Sequence, residues 1–493
     1  MKKYFALLLI LILSVQFGFA QQPSLASNPE IASQIQLLEK WIEAQMEYRG
    51  LPGLSLGIVY DQNLIWAKGY GLADLEKKTP ALTTSIYRIA SITKLFTTAA
   101  LMQLRDQGKL RLDDPVSKYL PWFAIKNTFP DAPATTVEHL ITHTSGLPRE
   151  SAFPYWTDHK FPTREEMIDA LKRQETIVPS ETRWKYSNLA MALAGEVVMA
   201  VSGEPYDSYI RKHILEPLGM KDTSVYLSDE HKKRLVTGYG RRLPDGSRRI
   251  QPFTDSKGIT PAANISSTIE DLAKFISLQF RLEGKPGGSQ ILKGTTLREM
   301  HRVHWLQPSW KSGQGLGFAV DRMGERTIVG HGGWVGGYRT QIGFCPDEKI
   351  GVIVLTNADD GEPGFFLEQV FNIVAPAILK AAQPSSKPAK PDPSWNIYLG
   401  RYEDPANFDT EIMIVDGKLV MYGFNYPPES NPKGSLTELT PEGKHTFRMT
   451  GENGDGELVV FELGTDGKVK RVKTGENYIY PKGKAGQKNT GGI

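Results

Sequence analysis

Apolar residues recur at helical spacing through residues 31–48, with Ile35, Leu38, Trp41 and Ile42 on one face, which predicts an amphipathic helix. The period then shortens. Residues 54–60 alternate, a polar turn follows at Asp61-Gln62-Asn63, and residues 64–70 alternate again, the pattern of a β-hairpin. A second pair of strand-like runs, 338–344 and 350–355, flanks the turn Pro346-Asp347-Glu348-Lys349. Between the two hairpins the pattern is helical, most clearly over 95–104, 189–201 and 269–278. The economical fold is α/β: an antiparallel sheet built from both ends of one domain and flanked by helices, with a mostly helical lobe inserted between them. A cleft between sheet and lobe follows from that arrangement.

The patterning breaks at residues 381–393, which hold four prolines and no large apolar side chain, the composition of an extended linker. Beyond it, short alternating runs at 398–402, 411–415, 418–421, 446–449, 457–462 and 469–472 are separated by Asp-Gly-type turns. These predict a small antiparallel barrel over 394–483, with an interior filled by side chains. The Gly- and Lys-rich residues 484–493 read as a disordered tail.

At the N-terminus, Lys2 and Lys3 precede an apolar run over 5–13, then Gly18-Phe19-Ala20 and polar Gln21-Gln22. That three-part layout predicts a signal peptide over 1–20, cleaved after Ala20, and a periplasmic or secreted mature protein with no membrane span. The first domain then covers 21–380. No cysteine lies near the cleavage site, so lipid attachment there is excluded.

Composition narrows the function classes. The 493-residue chain is 40% hydrophobic and 23% charged, with a net charge of +3 and basic residues scattered along it, which gives no footprint for nucleic acid. Cys345 is the single cysteine, so no intramolecular disulfide and no cysteine-type zinc site can form. Neither a metal nor a cofactor is expected. Oligomeric state is not legible.

Candidate chemistry begins at Ser91-Ile92-Thr93-Lys94. Three-residue spacing on a helix stacks the hydroxyl and the amine on one face, so the amine can activate the serine as a nucleophile. About two such spacings arise by chance in a chain this long, so the company they keep decides their weight. The helix start beside Ser91 favours developing negative charge, and partial burial of Lys94 would lower its pKa. Tyr186-Ser187-Asn188 precedes a second apolar helix. Residues two apart in an extended approach share a face, so the phenol and the amide can look into one cleft, although Asn188 also suits an N-cap. A tyrosine base needs a cation nearby, and Lys94 can be that cation. Third comes Gly330-His331-Gly332-Gly333-Trp334, where glycines on a strand edge allow close backbone approach and a main-chain N–H can complete an oxyanion hole.

These three elements, in this chain order, resemble the penicillin-recognising serine hydrolases, in the branch of class C β-lactamases, D-Ala-D-Ala carboxypeptidases and related esterases. The resemblance spans residues 31–380 and includes Tyr87-Arg88-Ile89-Ala90, Leu112-Asp113-Asp114-Pro115-Val116, and the run from His139 to Pro148 that contains His143-Thr144-Ser145-Gly146. It implies that Ser91 is acylated, that Lys94 and Tyr186 exchange the proton, and that the main-chain N–H groups of Ser91 and Trp334 form the oxyanion hole. Asn188, His331, Gly332 and Gly333 would bind substrate, and His143 would hold a loop. The C-terminal barrel is similar to the lipocalin-like appendage of some peptidase-like relatives. One departure stands out: lactamases of this branch carry Lys-Thr-Gly where this chain has His331-Gly332-Gly333. A partly charged histidine would bind a substrate carboxylate weakly and in a pH-dependent way. The resemblance therefore implies a serine hydrolase acting through an acyl-enzyme on an ester or on a peptide with small or D-residues. The alternatives are a class C-type β-lactamase or a penicillin-binding receptor without turnover.

Overall fold

The computed structural model describes residues 25, 28–282, 290–383, 391–406, 408–415, 417–423, 436–451 and 454–482. The expected signal peptide and the expected tail lie outside them. The chain divides into two units, Met1–Ala382 and Gln383–Ile493.

The first unit is built on a nine-stranded sheet with spatial order Thr79–Pro80, Asn63–Asp74, Gly53–Tyr60, Ile350–Thr356, Tyr338–Cys345, Arg326–Val335, Ala319–Met323, Ser312–Gln314, Trp305–Leu306. Every neighbouring pair is antiparallel. The two hairpins anticipated from alternation meet at the centre, where Leu54 pairs with Thr356 and Tyr60 with Ile350. Both central strands are buried on both faces: Ile350–Thr356 reads as a near-continuous apolar run, whereas Gly53–Tyr60 keeps an alternation of Leu54, Leu56 and Ile58 with the small Ser55 and Gly57. One face is covered by the helix Pro29–Arg49, which buries Ile31, Ile35, Leu38, Ile42 and Met46 against the sheet and the helix Pro363–Ile373. Asn28 caps its start through Oδ1, and Gly50, at φ 58°, closes its end.

The other face carries the lobe. Helix Thr93–Asp106 lies inside it and buries every residue from Thr93 to Leu104. The expectation of only partial burial for Lys94 is thus corrected: a helix wrapped on all sides from Thr93 to Leu104 has no solvent face there, and Lys94 is 0% exposed. Beside it runs Asn188–Ser202, buried from Asn188 through Val198.

The second unit is a closed barrel of eight consecutive strands, from Gly400–Glu403 to Asn477–Pro481, closed where Tyr402 pairs with Pro481 and Glu403 with Tyr480. Its interior is packed by Tyr398, Ile412, Leu439, Phe447, Val459, Phe461 and Val472, among others. Six strands were legible. The additional ones are Leu436–Gly443, whose polar run and Pro441 hide its alternation, and Asn477–Pro481, which lies against the expected tail.

Candidate active site

Ile89 leads into a single 3₁₀ turn, Ala90–Ile92, which runs directly into helix Thr93–Asp106. Ala90 sits at φ 48°, a left-handed conformation that costs a non-glycine residue about 1 kcal/mol or more, placed immediately before Ser91. From this corner Ser91 lines a cleft of about 720 Å³, together with Tyr186, Asn188, His331, Gly332, Gly333 and Trp334. All eight sequence-predicted site residues are there or one contact behind: Lys94 lies beneath Ser91.

The groups converge on one oxygen. Lys94 Nζ is 3.0 Å from Ser91 Oγ, and the Tyr186 hydroxyl is 2.9 Å from it. Lys94 also donates to Asn188 Oδ1 at 2.8 Å and to the carbonyl of Ala262 at 2.9 Å. Two of these three partners can only accept. A neutral amine satisfies them with its two N–H bonds and turns its lone pair to the Ser91 hydroxyl, whereas an ammonium donates to all three. Either protonation state leaves nothing unpaired, so a proton can enter or leave without an orphaned group.

Burial moves both titrating partners. Lys94 is pulled down to about 7 chiefly by desolvation, opposed by the negative charge of Glu150 and reinforced by Arg149. Tyr186 is pushed up to about 12, again by desolvation, despite the hydrogen bond to Ser91. Lys94 Nζ and the Arg149 guanidinium each lie 4.9 Å from the centre of the Tyr186 ring, so the anticipated cation is present, but it does not make the phenolate favourable near neutrality.

Two readings change. The N-cap of helix Asn188–Ser202 is Ser187, whose Oγ accepts from the Ala190 N–H, and Asn188 is the first helical residue with its amide spent inside the site. His331 is buried and lowered to about 4, mainly by desolvation, so it is neutral rather than partly charged near pH 7. Its Nδ1 donates to the Gly332 carbonyl at 2.6 Å, which leaves Nε2 as an acceptor. The nearby glycines serve the protein's own packing: a Cβ on Gly333 would sit 2.2 Å from the Ile89 carbonyl oxygen, and one on Gly330 would sit 2.2 Å from that of Ile342. Gly333 thereby lets strand Arg326–Val335 press against the turn that presents Ser91.

His143 holds a loop, as expected. At φ 59° it closes helix Val137–Thr142, its Nδ1 accepts from the Ser187 N–H, and its ring lies 4.4 Å from that of Tyr186. Burial keeps it neutral, well below the usual imidazole range. Sequence reasoning missed Glu150. Its carboxylate accepts from Asn188 Nδ2 at 2.9 and 3.2 Å and from the Tyr155 hydroxyl. No spacing rule ties it to Ser91; its one signal is its place two residues after the Thr-Ser-Gly-Leu-Pro run. The aromatic wall of Trp156, Trp184 and Trp334 was also only partly legible, with the Trp156 and Trp334 rings tilted at 31° and their centroids 5.4 Å apart. Among the described residues, no group of three or more His, Cys, Asp or Glu side chains could hold a metal ion.

The likeness to known proteins includes this unit and, for one solved structure, extends past it. A family model described as Beta-lactamase matches residues 38–371. Beta-lactamase-like protein 2 of Dictyostelium discoideum is 31% identical over 377 residues, 74% of this chain and 68% of that protein. The D-alanyl-D-alanine-carboxypeptidase/endopeptidase AmpH of Escherichia coli (strain K12) is 29% identical over 347 residues, 68% of this chain and 86% of that protein. Among solved structures, an octameric penicillin-binding protein homologue from Pyrococcus abyssi aligns with a TM-score of 0.61 and 27% identity over 90% of this chain and 99% of its own. With a serine, a lysine and a tyrosine meeting in one cleft of the matched region, the chain belongs to the β-lactamase family of serine hydrolases.

Proposed function

We propose that this protein is an exported serine hydrolase that forms an acyl-enzyme at Ser91 from an ester or from a peptide with small or D-residues. The observation that carries the reading is the placement of Lys94 Nζ and the Tyr186 hydroxyl at 3.0 and 2.9 Å from Ser91 Oγ inside an open cleft. Neutral Lys94 takes the Ser91 proton as Oγ attacks the substrate carbonyl carbon. The oxyanion is held by the main-chain N–H groups of Ser91 and Trp334. Tyr186, protonated in the resting enzyme, gives its proton to the departing alcohol or amine, and the Lys94 ammonium makes good the phenolate. Water then enters, the proton transfers run in reverse, and the acid is released with Ser91 restored.

Extended substrates have a docking edge. Strand Ala319–Met323 ends its pairing with Ala319 opposite Gly330, so residues 331–335 have no strand on that side among the described residues. A peptide backbone laid there gains ladder hydrogen bonds next to Ser91. Neutral His331 supports esters and peptides over carboxylate-dependent lactams, because it offers a substrate carboxylate no positive charge. The name of the carboxypeptidase/endopeptidase relative agrees with a peptide substrate. Export rests on the N-terminal pattern of Lys2, Lys3 and Gly18-Phe19-Ala20.

The test is covalent labelling. A fluorophosphonate should modify Ser91, located by peptide mapping, while a labelled penicillin turns over slowly or not at all. Labelling elsewhere, or rapid catalytic penicillin hydrolysis, contradicts the proposal.

A further inference from the structure

Lys94 is oriented by an amide whose own orientation is set from the far side. Asn188 presents Oδ1 to Lys94 at 2.8 Å and Nδ2 to both oxygens of Glu150 at 2.9 and 3.2 Å. A carboxylate only accepts, and the lysine has N–H to give whether or not it carries charge. Rotating the amide by half a turn would set N–H against N–H at one end and oxygen against oxygen at the other. Glu150 therefore fixes which end of Asn188 meets the lysine.

Glu150 is itself anchored. Its carboxylate takes the Tyr155 hydroxyl and lies 3.2 Å from Arg149 Nε, and its side chain is only 19% exposed. The backbone on either side is clamped to the start of helix Asn188–Ser202: the Pro148 carbonyl accepts from Ser187 Oγ at 2.6 Å, and the Arg149 carbonyl accepts from the Asn188 N–H at 2.7 Å. Gln174 Nε2 donates to the Glu150 carbonyl at 2.9 Å. A continuous chain thus runs from Tyr155 through Glu150, Asn188 and Lys94 to Ser91.

Resting on the reading of Ser91 as the acylated nucleophile, we propose that Glu150 is a positioning residue for acyl transfer, acting through Asn188 to hold the Lys94 amine against Ser91 Oγ. Its charge also faces that amine. Of the ionisable groups around Lys94, Glu150 favours the ammonium and Arg149 opposes it, while His143, His331 and Tyr186 are neutral at pH 7. Lys185, itself lowered chiefly by burial, feels the same Arg149 and Glu150 pair.

The experiment measures kcat and KM for p-nitrophenyl acetate from pH 5 to 9 in the full chain. Glu150→Gln should lower kcat tenfold or more with KM within about twofold, and should move the acid limb to lower pH because the ammonium loses its negative neighbour. Arg149→Gln should move the limb the other way. Glu150→Asp keeps the charge but withdraws it by one methylene, so kcat should fall with the limb held closer to its wild-type place. Wild-type kcat and a superimposable profile in Glu150→Gln overturn the inference. If that variant does not fold, judged by near-ultraviolet circular dichroism, wild-type kcat in Glu150→Asp overturns it instead. Parallel fluorophosphonate labelling of the wild type keeps the two ideas apart: absence of Ser91 labelling sinks the nucleophile assignment, whereas normal labelling with indifferent Glu150 variants sinks only the role of Glu150.

Discussion

Lys94 and His331 belong to one cleft, both are buried, and desolvation pushes each toward its neutral form, yet they finish with opposite uses. The lysine starts from 10.5 and stops at about 7, where a proton can be gained and lost at working pH. The histidine starts from 6.5 and falls to about 4, which removes it from the titrating groups altogether. The same physical cost leaves the stronger base able to play the proposed catalytic role and makes the weaker one a fixed, uncharged lining residue. Partners complete the contrast. Lys94 has three, satisfied in either protonation state, while His331 Nδ1 is committed to the Gly332 carbonyl.

The most severe way to break this contrast is to remove what the lysine acts on. Ser91→Ala should abolish fluorophosphonate labelling and ester turnover, read by peptide mapping and steady-state assay. Lys94→Ala should lower kcat/KM for a neutral ester by about 10³-fold, within the range for loss of a general base. Tyr186→Phe should cost about a hundredfold in acylation, since Lys94 remains but the leaving group loses its proton donor. The smallest effect sharpens the other side: His331→Lys should raise acylation by a penicillin about tenfold, the value of one charge-assisted hydrogen bond to its carboxylate, with little change for a neutral ester. An equal gain on both substrates would show that the charge at position 331 does not discriminate.

How much of this was legible depended on whether a relation was local. Ser91 and Lys94 are one helical turn apart, and Tyr186 and Asn188 share a face two residues apart, so spacing brought out both pairs as candidates and the resemblance gave them weight. The central hairpins were legible because alternation survives in the sequence even where both faces are covered. Burial was not local. Nothing in residues 93–106 distinguishes a helix with one wet face from one enclosed by the helix Asn188–Ser202 and its neighbours, and on that difference hangs the lysine's descent to about 7. The charge state of His331 was misread for the same reason. Glu150 reaches Asn188 across 38 residues of chain, a pairing that only the docking of the Pro148–Glu150 backbone on the helix start creates. Ser187 displaced Asn188 as the cap because both residue types suit the role and only geometry chooses between neighbours.

The central claim is that an uncharged Lys94 receives the Ser91 proton, and its most direct test is the single-turnover rate of Ser91 acylation by a neutral ester as a function of pH. Lys94 is lowered in the folded protein, so its neutral fraction grows as pH rises through about 7. The rate should therefore climb tenfold per pH unit below that point, reach half its maximum near pH 7 and level off above it, with no second rise from Tyr186 before about pH 12. A rate that is flat from pH 5 to 9, or one still rising with half-maximum near 10, would contradict it.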